Sequence, residues 1–328
     1  MTVSIVMCTY NGASYIREQI ESLLAQTVPA TEIIIQDDGS TDATWSILTE
    51  YTQKYAQIKI FHNTDRKGIN GNFMSALRKA KGDYIAISDQ DDIWEPDKLQ
   101  VQLQAIGSKL MCGGFSKPFS TDGFPVKWDD RMPCLHALRL CYLSEVPGHV
   151  QLFRRELLTY LPPIGRITMM YDWQLQFIAS VAESIAFPDK VLVNFRRHAD
   201  AATAAATIPV ENKGKAGWST FFFLLSNYAP LNGYFKQRLQ QIEIMLSDLE
   251  RLNPQLFETE SVKLVRQLIN LENKRSFMGY LRLTAFCMIH HDKLYHAQEP
   301  KKWKSILRAA YYPMYGLNYY RSIIAEEC

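Results

Sequence analysis

Residues 88–94, Ser-Asp-Gln-Asp-Asp-Ile-Trp, constrain the fold of this chain more than any other stretch. The apolar run 84–87 before them predicts a buried parallel strand. Ligands bind at the carboxyl ends of such strands in open α/β sheets. Three acids stand within four residues here and repel one another, so a cation is expected to neutralise them. Carboxylate oxygens suit Mg²⁺ or Mn²⁺, which also bind substrate phosphates, and the stretch therefore predicts a metal–diphosphate site.

Two other interpretations of this acidic stretch can be weighed from the sequence. Asp92 or Glu95 could cap the next helix, with Pro96 in its first turn. An EF-hand calcium loop is excluded, because Trp94 stands where that loop needs Gly and Gln100 where it needs Glu. The capping alternative stays open.

Bulk composition limits the class of protein. With 328 residues, 47% apolar and 21% charged, the chain can bury a sizeable globular core. A net charge of +2 gives no global reason to expect nucleic acid as a partner. Six scattered cysteines without a CxxC pair fit a reducing compartment, and the longest apolar run, 221–225, is far shorter than the ~18 residues of a membrane span. Because the chain starts directly on a strand pattern, no signal peptide is expected, and the prediction is a cytoplasmic protein.

The first hundred residues alternate predicted strands with predicted helices. The strands fall at 3–8, 32–36, 58–61 and 84–87, which predicts an α/β fold with a mostly parallel sheet covered on both faces. Neither GxGxxG after the first strand nor GxxxxGK[ST] occurs, so dinucleotide and P-loop sites are weak alternatives.

The ends of the first two strands carry residues that suit a nucleoside. Thr9 and Tyr10 follow the first strand, and Asp37 and Asp38 follow the second. An aromatic ring can stack on a base while a carboxylate accepts its N–H. The alternative for residues 37–40 is a tight turn with an Asx cap, and the residues alone do not decide between the two.

The ordered motifs resemble the family 2 inverting glycosyltransferases of the GT-A-type fold, among them bacterial polysaccharide, O-antigen and capsule enzymes with the Asp-Gln-Asp-Asp-Ile-Trp motif. The matching segments lie within about the first hundred residues and are 3–12, 33–42, 67–72, 80–85 and 88–94. The resemblance implies a GT-A-type nucleotide-diphospho-sugar transferase fold, here with a helical C-terminal extension.

The resemblance also implies a donor site with a divalent cation, Mn²⁺ or Mg²⁺. The residues implied to bind the nucleotide are Thr9, Tyr10, Asn11, Asp37, Asp38, Lys67, Asp89 and Gln90. The implied metal ligands are Asp91, foremost, with Asp89 and His198.

The middle of the chain supplies a candidate general base. Asp172 stands in Tyr-Asp-Trp-Gln, which is similar to the family's His-Asp-Trp-Trp element, whose Asp is the base of the transfer. The alternative is that Asp172 only caps its helix. Arg196 and His198 match the family's Tyr-Arg-x-His-Gly-Asn element, from which Ala199 departs. The residues expected to contact the acceptor or the diphosphate are Trp94, Gly148, His149, Trp173 and Arg196.

The sequence predicts a catalytic domain at 1–207, with a nucleotide-binding half at 1–105 and an acceptor-binding half at 106–207, and a helical region at 208–328. Residues 107–146 are expected to carry edge strands and loops over the sugar site, without assigned bounds. Between residues 301 and 321 five basic residues and no acid are mixed with aromatics. This segment either lies at an anionic membrane surface or packs on the catalytic domain, and the two alternatives stay open.

The sequence thus predicts a metal-dependent inverting glycosyltransferase, a hexosyltransferase. It would move a sugar from a nucleotide diphosphate, UDP before dTDP or GDP, to a hydroxyl of a polysaccharide or a polyprenyl-linked glycan. A homo-oligomer through the C-terminal helices is a further expectation. The alternatives are a nucleotidyltransferase that makes sugar nucleotides and a non-catalytic sugar-nucleotide-binding protein.

Overall fold

The computed structural model describes residues 1–199, 201, 226, 228–274, 276–295 and 302–311. The chain divides into two compact units. The first comprises residues 1–130, 146–179 and 184–197, and the second comprises 131–145, 180–183 and 198–328. The boundary predicted near residue 208 lies outside the described residues.

Ten strands form two sheets in the described part of the first unit. Their bounds are β1 Val3–Thr9, β2 Glu32–Asp37, β3 Ile58–His62, β4 Tyr84–Ser88, β5 Ile93–Trp94, β6 Met111–Cys112, β7 Phe115–Phe119, β8 Leu152–Arg154, β9 Ile185–Ala186 and β10 Val191–Arg196. The larger sheet has the order β3-β2-β1-β4-β8-β6-β9, and the smaller has the order β5-β10-β7. In the larger sheet β8 runs antiparallel to both neighbours while the other pairs are parallel. The predicted α/β fold with a mostly parallel sheet is confirmed.

Five helices accompany these strands, and they are α1 Ile16–Leu24, α2 Thr44–Lys54, α3 Ile69–Leu77, α4 Lys98–Ala105 and α6 Tyr171–Val181. Helix α1 shows why they pack on the sheet, since Ile16, Ile20 and Leu23 recur at helical spacing and are all buried. Every residue of β1 and of β2 is buried, as expected of strands covered on both faces.

The order of the strands creates a binding edge between β1 and β4. From β1 the chain moves outward to β2 and β3 and then returns to β4 on the other side of β1. The carboxyl ends of β1 and β4 therefore flank a topological switch point, where ligands bind in open α/β sheets. Gln90 joins the two ends, because its amide accepts the Tyr10 N–H at 2.9 Å and donates to the Tyr10 carbonyl at 3.0 Å.

The described part of the second unit is helical, as the sequence predicted for the C-terminal region. Its helices are α5 Ala137–Leu140, α7 Tyr228–Leu252, α8 Pro254–Phe257, α9 Glu260–Glu272, α10 Phe277–Ile289 and α11 Lys302–Ala310. The apolar residues predicted at three- and four-residue spacing in α7, from Phe235 to Leu249, are buried. None of the helices described here combines the length and the hydropathy needed to cross a membrane.

A buried lysine holds α4 in place and so fixes a turn of the site. The Lys98 ammonium lies 3.7 Å from the centre of the Trp94 ring and donates to Gln102 Oε1 at 2.9 Å. Gln102 in turn donates to the carbonyls of Val150 and Gly113 at 2.7 and 3.0 Å. Helix α4 is thereby tied both to β5 and to the turn Gly148–Val150.

We expect the stability of the protein to rise with pH because of Lys98. Burial lowers the pKa of this amine to about 7, whereas the unfolded chain keeps its proton to about pH 10. The free energy of unfolding should therefore rise between pH 7 and 10, by on the order of a few kcal/mol.

Denaturant unfolding across this pH range measures the effect. The difference between wild type and Lys98→Met should grow with pH, while Lys54→Met, at an exposed lysine, should follow the wild type. Parallel pH profiles for wild type and Lys98→Met would contradict the prediction.

Candidate functional site

Asp37 builds the loop after β2. Its carboxylate accepts the Thr9 hydroxyl at 2.8 Å, the Ser40 hydroxyl at 2.5 Å, and the N–H groups of Gly39 and Ser40 at 3.0 and 2.8 Å. Four donors from the chain occupy this buried carboxylate. The geometry matches the Asx-turn alternative, and a direct contact of Asp37 with the nucleotide stays a prediction.

Asp38 binds the segment between β3 and α3 at the same edge of the sheet. Its half-buried carboxylate accepts the Asn63 amide and the Gly68 N–H, both at 2.7 Å. Lys67 is exposed, and its Nζ lies 3.3 Å from the position a Cβ would take at Gly39. The structure thus brings Asp38 and Lys67, two predicted nucleotide contacts, to the carboxyl ends of β1 and β2.

Tyr10 and Asn11 form the rim of this edge. The Tyr10 side chain is 57% exposed, which leaves its ring face available for stacking. Asn11 has φ +47°, a left-handed conformation that Asn adopts more readily than most residues. Its side chain accepts the Thr41 N–H at 2.8 Å and its N–H donates to the Ser40 hydroxyl at 2.9 Å, so Asn11 fixes the rim.

A cluster of two carboxylates and an imidazole lies at the end of β4. One ligand atom each from Asp89, Asp92 and His149 lies within 4.8 Å of the others. His149 Nδ1 is 3.2 Å from Asp89 Oδ2 and 3.5 Å from Asp92 Oδ2, and its Nε2 is 2.8 Å from the Ser116 hydroxyl. Asp92 is fully buried; its Oδ1 accepts the Arg196 N–H at 3.0 Å, and its Oδ2 has no hydrogen-bond donor among the described residues.

The electrostatics of this cluster call for added positive charge. Burial raises the pKa of Asp92 to about 8, with Asp89 and Asp91 adding to the rise and His149 opposing it. Burial by itself lowers the pKa of His149, but Asp92 and Asp89 outweigh it and the pKa is raised. Carboxylate oxygens with one imidazole nitrogen are a donor set that fits Mn²⁺, and the hydrogen-bond-free Asp92 Oδ2 gives a cation a buried ligand atom.

This cluster differs from the predicted ligand set. Asp89 belongs both to the cluster and to the predicted ligands, whereas Asp91 and His198 lie outside the cluster and stay predictions as metal ligands. Asp91 is half-buried at its margin, and His198 belongs to the second unit, where it is buried. The sequence did not name Asp92 as a ligand, because Asp92 could equally cap the next helix. That capping alternative is wrong, since α4 begins at Lys98. The sequence feature that could have pointed to Asp92 is a third acid directly before the first residue of β5.

Three of the predicted contacts to acceptor or diphosphate are core residues. Trp94 and Trp173 are buried. Arg196 is buried as well, and its guanidinium donates to Glu18 at 2.5 Å and to the Asp91 carbonyl at 2.9 Å. Its carbon Cζ also lies 4.7 Å from the centre of the Phe119 ring. These side chains are positioned to shape the site, and Arg196 fixes the backbone of Asp91.

Asp172 lies in the first turn of α6, half-buried. Its Oδ1 accepts the Trp173 N–H at 2.8 Å. Burial raises the pKa of Asp172 to about 6, and Asp89 contributes to the rise, while the N–H groups of Trp173 and Gly148 oppose it. A carboxylate with a pKa near neutrality suits a general base.

Gly148 joins this carboxylate to the acidic cluster. A Cβ at Gly148 would lie 2.6 Å from the Tyr171 hydroxyl and 3.3 Å from Asp172 Cβ, so only glycine allows α6 to approach this closely. Tyr171 is held from its other side by Phe73, with ring centroids 4.2 Å apart. Because His149 follows Gly148 in the same turn, Asp172 and the cluster share one short segment.

A family model and several known proteins match parts of the chain. The family model "Glycosyl transferase family 2" matches residues 4–160. An uncharacterized protein of Mycobacterium tuberculosis is 32% identical over 212 residues, which cover 60% of this chain and 59% of that relative. The putative glycosyltransferase EpsH of Bacillus subtilis is 27% identical over 76% of each chain. The Escherichia coli UDP-Glc:alpha-D-GlcNAc-diphosphoundecaprenol beta-1,3-glucosyltransferase WfaP is 36% identical over 38% of this chain and 49% of WfaP.

A solved structure shares the fold over nearly the whole chain. Residues 1–349 of Staphylococcus aureus TarS, in complex with UDP-GlcNAc, superpose with a TM-score of 0.53 over 98% of this chain and 90% of that one, at 16% identity. The chain therefore has the GT-A-type fold, and its residues 4–160 are similar to family 2 glycosyltransferases.

Proposed function

We propose that the protein is a metal-dependent inverting glycosyltransferase that moves a sugar from a UDP-sugar to a hydroxyl of a polysaccharide or of a polyprenyl-linked glycan. The donor follows from WfaP, whose name gives UDP-Glc as its donor and a diphosphoundecaprenol-linked sugar as its acceptor. The acceptor class follows from the same relative.

One observation carries the proposal. The turn Gly148–Val150 contacts Asp172 through Gly148 and completes the acidic cluster through His149. A glycosyl transfer needs a base for the acceptor hydroxyl and positive charge for the departing diphosphate. Both requirements meet at the same turn, at the edge where β1 and β4 end.

Different residues would bind the donor and take the proton of the acceptor. Tyr10 stacks on the base, while Asp38 and Lys67 hold the nucleoside and a phosphate. Asp172 takes the proton of the acceptor hydroxyl as that oxygen attacks the anomeric carbon from the face opposite the diphosphate, which inverts the configuration.

The acidic cluster would hold a divalent cation. Asp89, Asp92 and His149 provide its ligand atoms, with Asp91 at the margin as the residue predicted from the motif. When bound, the cation neutralises the charge of the diphosphate leaving group. The cation would also favour the ionised form of Asp92, which burial disfavours.

Release of nucleoside diphosphate from a panel of sugar nucleotides tests the whole proposal. The reaction is run with Mn²⁺, with Mg²⁺ and with EDTA, in the presence of a lipid-linked acceptor. Cation-dependent release of UDP from one donor supports the proposal. Release of pyrophosphate would instead identify a nucleotidyltransferase, and binding of a sugar nucleotide without turnover would identify a non-catalytic binding protein.

The rate of transfer should rise with pH through about 6. Asp172 acts only when ionised, and burial raises its pKa to about 6, so the group is mostly protonated at pH 5. The pH profile of kcat/KM should level off above about pH 7, whereas a carboxyl with an ordinary pKa would level off by about pH 5.

Asp172→Asn should lower kcat by about 10²–10⁴-fold with UDP-sugar binding retained. Asp189→Asn, at an exposed acid of the same unit, is the matched control and should keep the wild-type rate and profile. An Asp172→Asn variant with wild-type kcat would remove Asp172 from the mechanism.

Asp92→Asn should abolish the response of the protein to cations without damaging the fold. Asparagine keeps the oxygen that accepts the Arg196 N–H and removes a buried ionisable group that a cation would need in its charged form. In thermal melts Mn²⁺ should raise the Tm of the wild type and of Asp189→Asn, and EDTA should reverse the rise.

The decisive comparison in these melts is between wild type and Asp92→Asn, each with and without Mn²⁺. Without a cation, Asp92→Asn should melt at or above the wild-type temperature, and added Mn²⁺ should leave its Tm unchanged. An equal Mn²⁺ shift in wild type and variant would place the cation away from Asp92.

A further inference from the structure

Helix α10 leaves one side uncovered. Gly279, Leu283, Phe286 and Cys287 are its buried residues. On the other side Phe277 is 77% exposed, Ile289 is 71% exposed and Met278 is 56% exposed. A surface helix of a globular protein normally carries polar residues on its exposed face, so this side is unusual for a face in water.

Helix α11 repeats the pattern next to α10. Trp303 and Leu307 on α11 and Tyr311 directly after it are spaced four residues apart and are 57%, 51% and 65% exposed, whereas Ser305 and Ala309 are buried. The two helices pack against each other. Ser305 Oγ also lies 2.6 Å from Nδ1 of His291 in the turn after α10, which fixes which side of α11 faces outward.

The charges on these two helices all have one sign. Exposed cations are present at Arg282, Lys302, Lys304 and Arg308, and neither helix contains an acid. Lys304 follows Trp303 and Arg308 follows Leu307, so basic groups border the exposed apolar residues of α11. We call the exposed apolar and basic residues of α10 and α11 the α10–α11 surface.

We propose that the α10–α11 surface docks on an anionic phospholipid bilayer. Charge complementarity selects this partner, because the cations pair with lipid phosphates while Trp303 and Tyr311 occupy the headgroup level, where aromatic rings with a polar edge are favoured. The apolar residues beside them reach the acyl boundary, as in interfacial helices. This docking site does not depend on the proposed glycosyl transfer.

Vesicle co-sedimentation of the full chain tests the proposal. The probes are vesicles of phosphatidylglycerol and phosphatidylcholine in equal parts, and vesicles of phosphatidylcholine alone. The wild type should bind the anionic vesicles at least about tenfold more tightly, because each cation near an anionic surface strengthens binding about fivefold. High salt should weaken this binding.

Two double variants separate the two contributions. Lys304→Glu with Arg308→Glu should abolish the preference for anionic vesicles, and Trp303→Ser with Leu307→Ser should weaken binding to both kinds. The matched controls are Lys263→Glu on α9 and Trp128→Ser in the first unit, both at exposed positions, and they should bind as the wild type does. Thermal melts establish that every variant is folded.

Three results would overturn the proposal. In the first, the wild type does not sediment with anionic vesicles. In the second, it binds both kinds of vesicle equally. In the third, both double variants bind the vesicles as the wild type does. Analytical ultracentrifugation measures the oligomeric state and so tests whether a second copy of the chain occupies the surface. A dimer that Trp303→Ser with Leu307→Ser dissociates, in protein that ignores vesicles, would assign the surface to a second copy of this chain.

Discussion

The burial of an acidic side chain is the constraint on which the site depends. Asp92 is fully buried after β4, with Asp89, Asp91 and the imidazole of His149 close by. A buried carboxylate is costly unless it is paired. Here one oxygen of Asp92 accepts a backbone N–H from β10, while the other has no hydrogen-bond donor in the described structure.

The loops around Asp92 are held in place by hydrogen bonds to distant parts of the first unit. Gln90 ties the end of β4 to Tyr10, and Arg196 ties the Asp91 carbonyl to Glu18 on α1. The protein thus keeps a group of acidic side chains in one position, which is the pre-organisation that binding of a cation and a diphosphate requires.

Residues around the donor edge divide into those that shape it and those that remain available. The Asp37 carboxylate accepts three donors of its own loop and the hydroxyl of Thr9 at the end of β1, and the Gln90 amide bonds to the backbone of Tyr10. Tyr10 and Lys67 keep exposed side chains at the same edge. Polar residues at the ends of parallel strands are therefore poor guides to ligand contact when taken one by one, because the strand ends must first satisfy their own backbone groups.

The sequence predicted the fold well and the site in part, and the reasons differ. Continuous apolar runs in β1, β2 and β4 can only be strands buried on both faces, and the polar residues after them must gather at one edge. Asp89 and Asp172 were recognisable because each stands beside a strong local pattern. Asp92 was not, since a carboxylate before a helix has a simpler explanation in capping and its burial depends on β10, about a hundred residues away. The pairing of His149 with Asp89 likewise joins distant segments through β8, a three-residue strand that leaves almost no periodic signal.

Gly148 has a consequence for how such an enzyme can change. The glycine lets α6 lie so close to the turn that any side chain there would strike Tyr171. A shift of α6 that reshaped the surroundings of Asp172 would push on the same turn and move His149 with it. Under the proposed mechanism, acceptor preference and cation affinity are then mechanically coupled traits. New acceptors would be reached more readily by changing loops away from α6 than by repacking the helix itself.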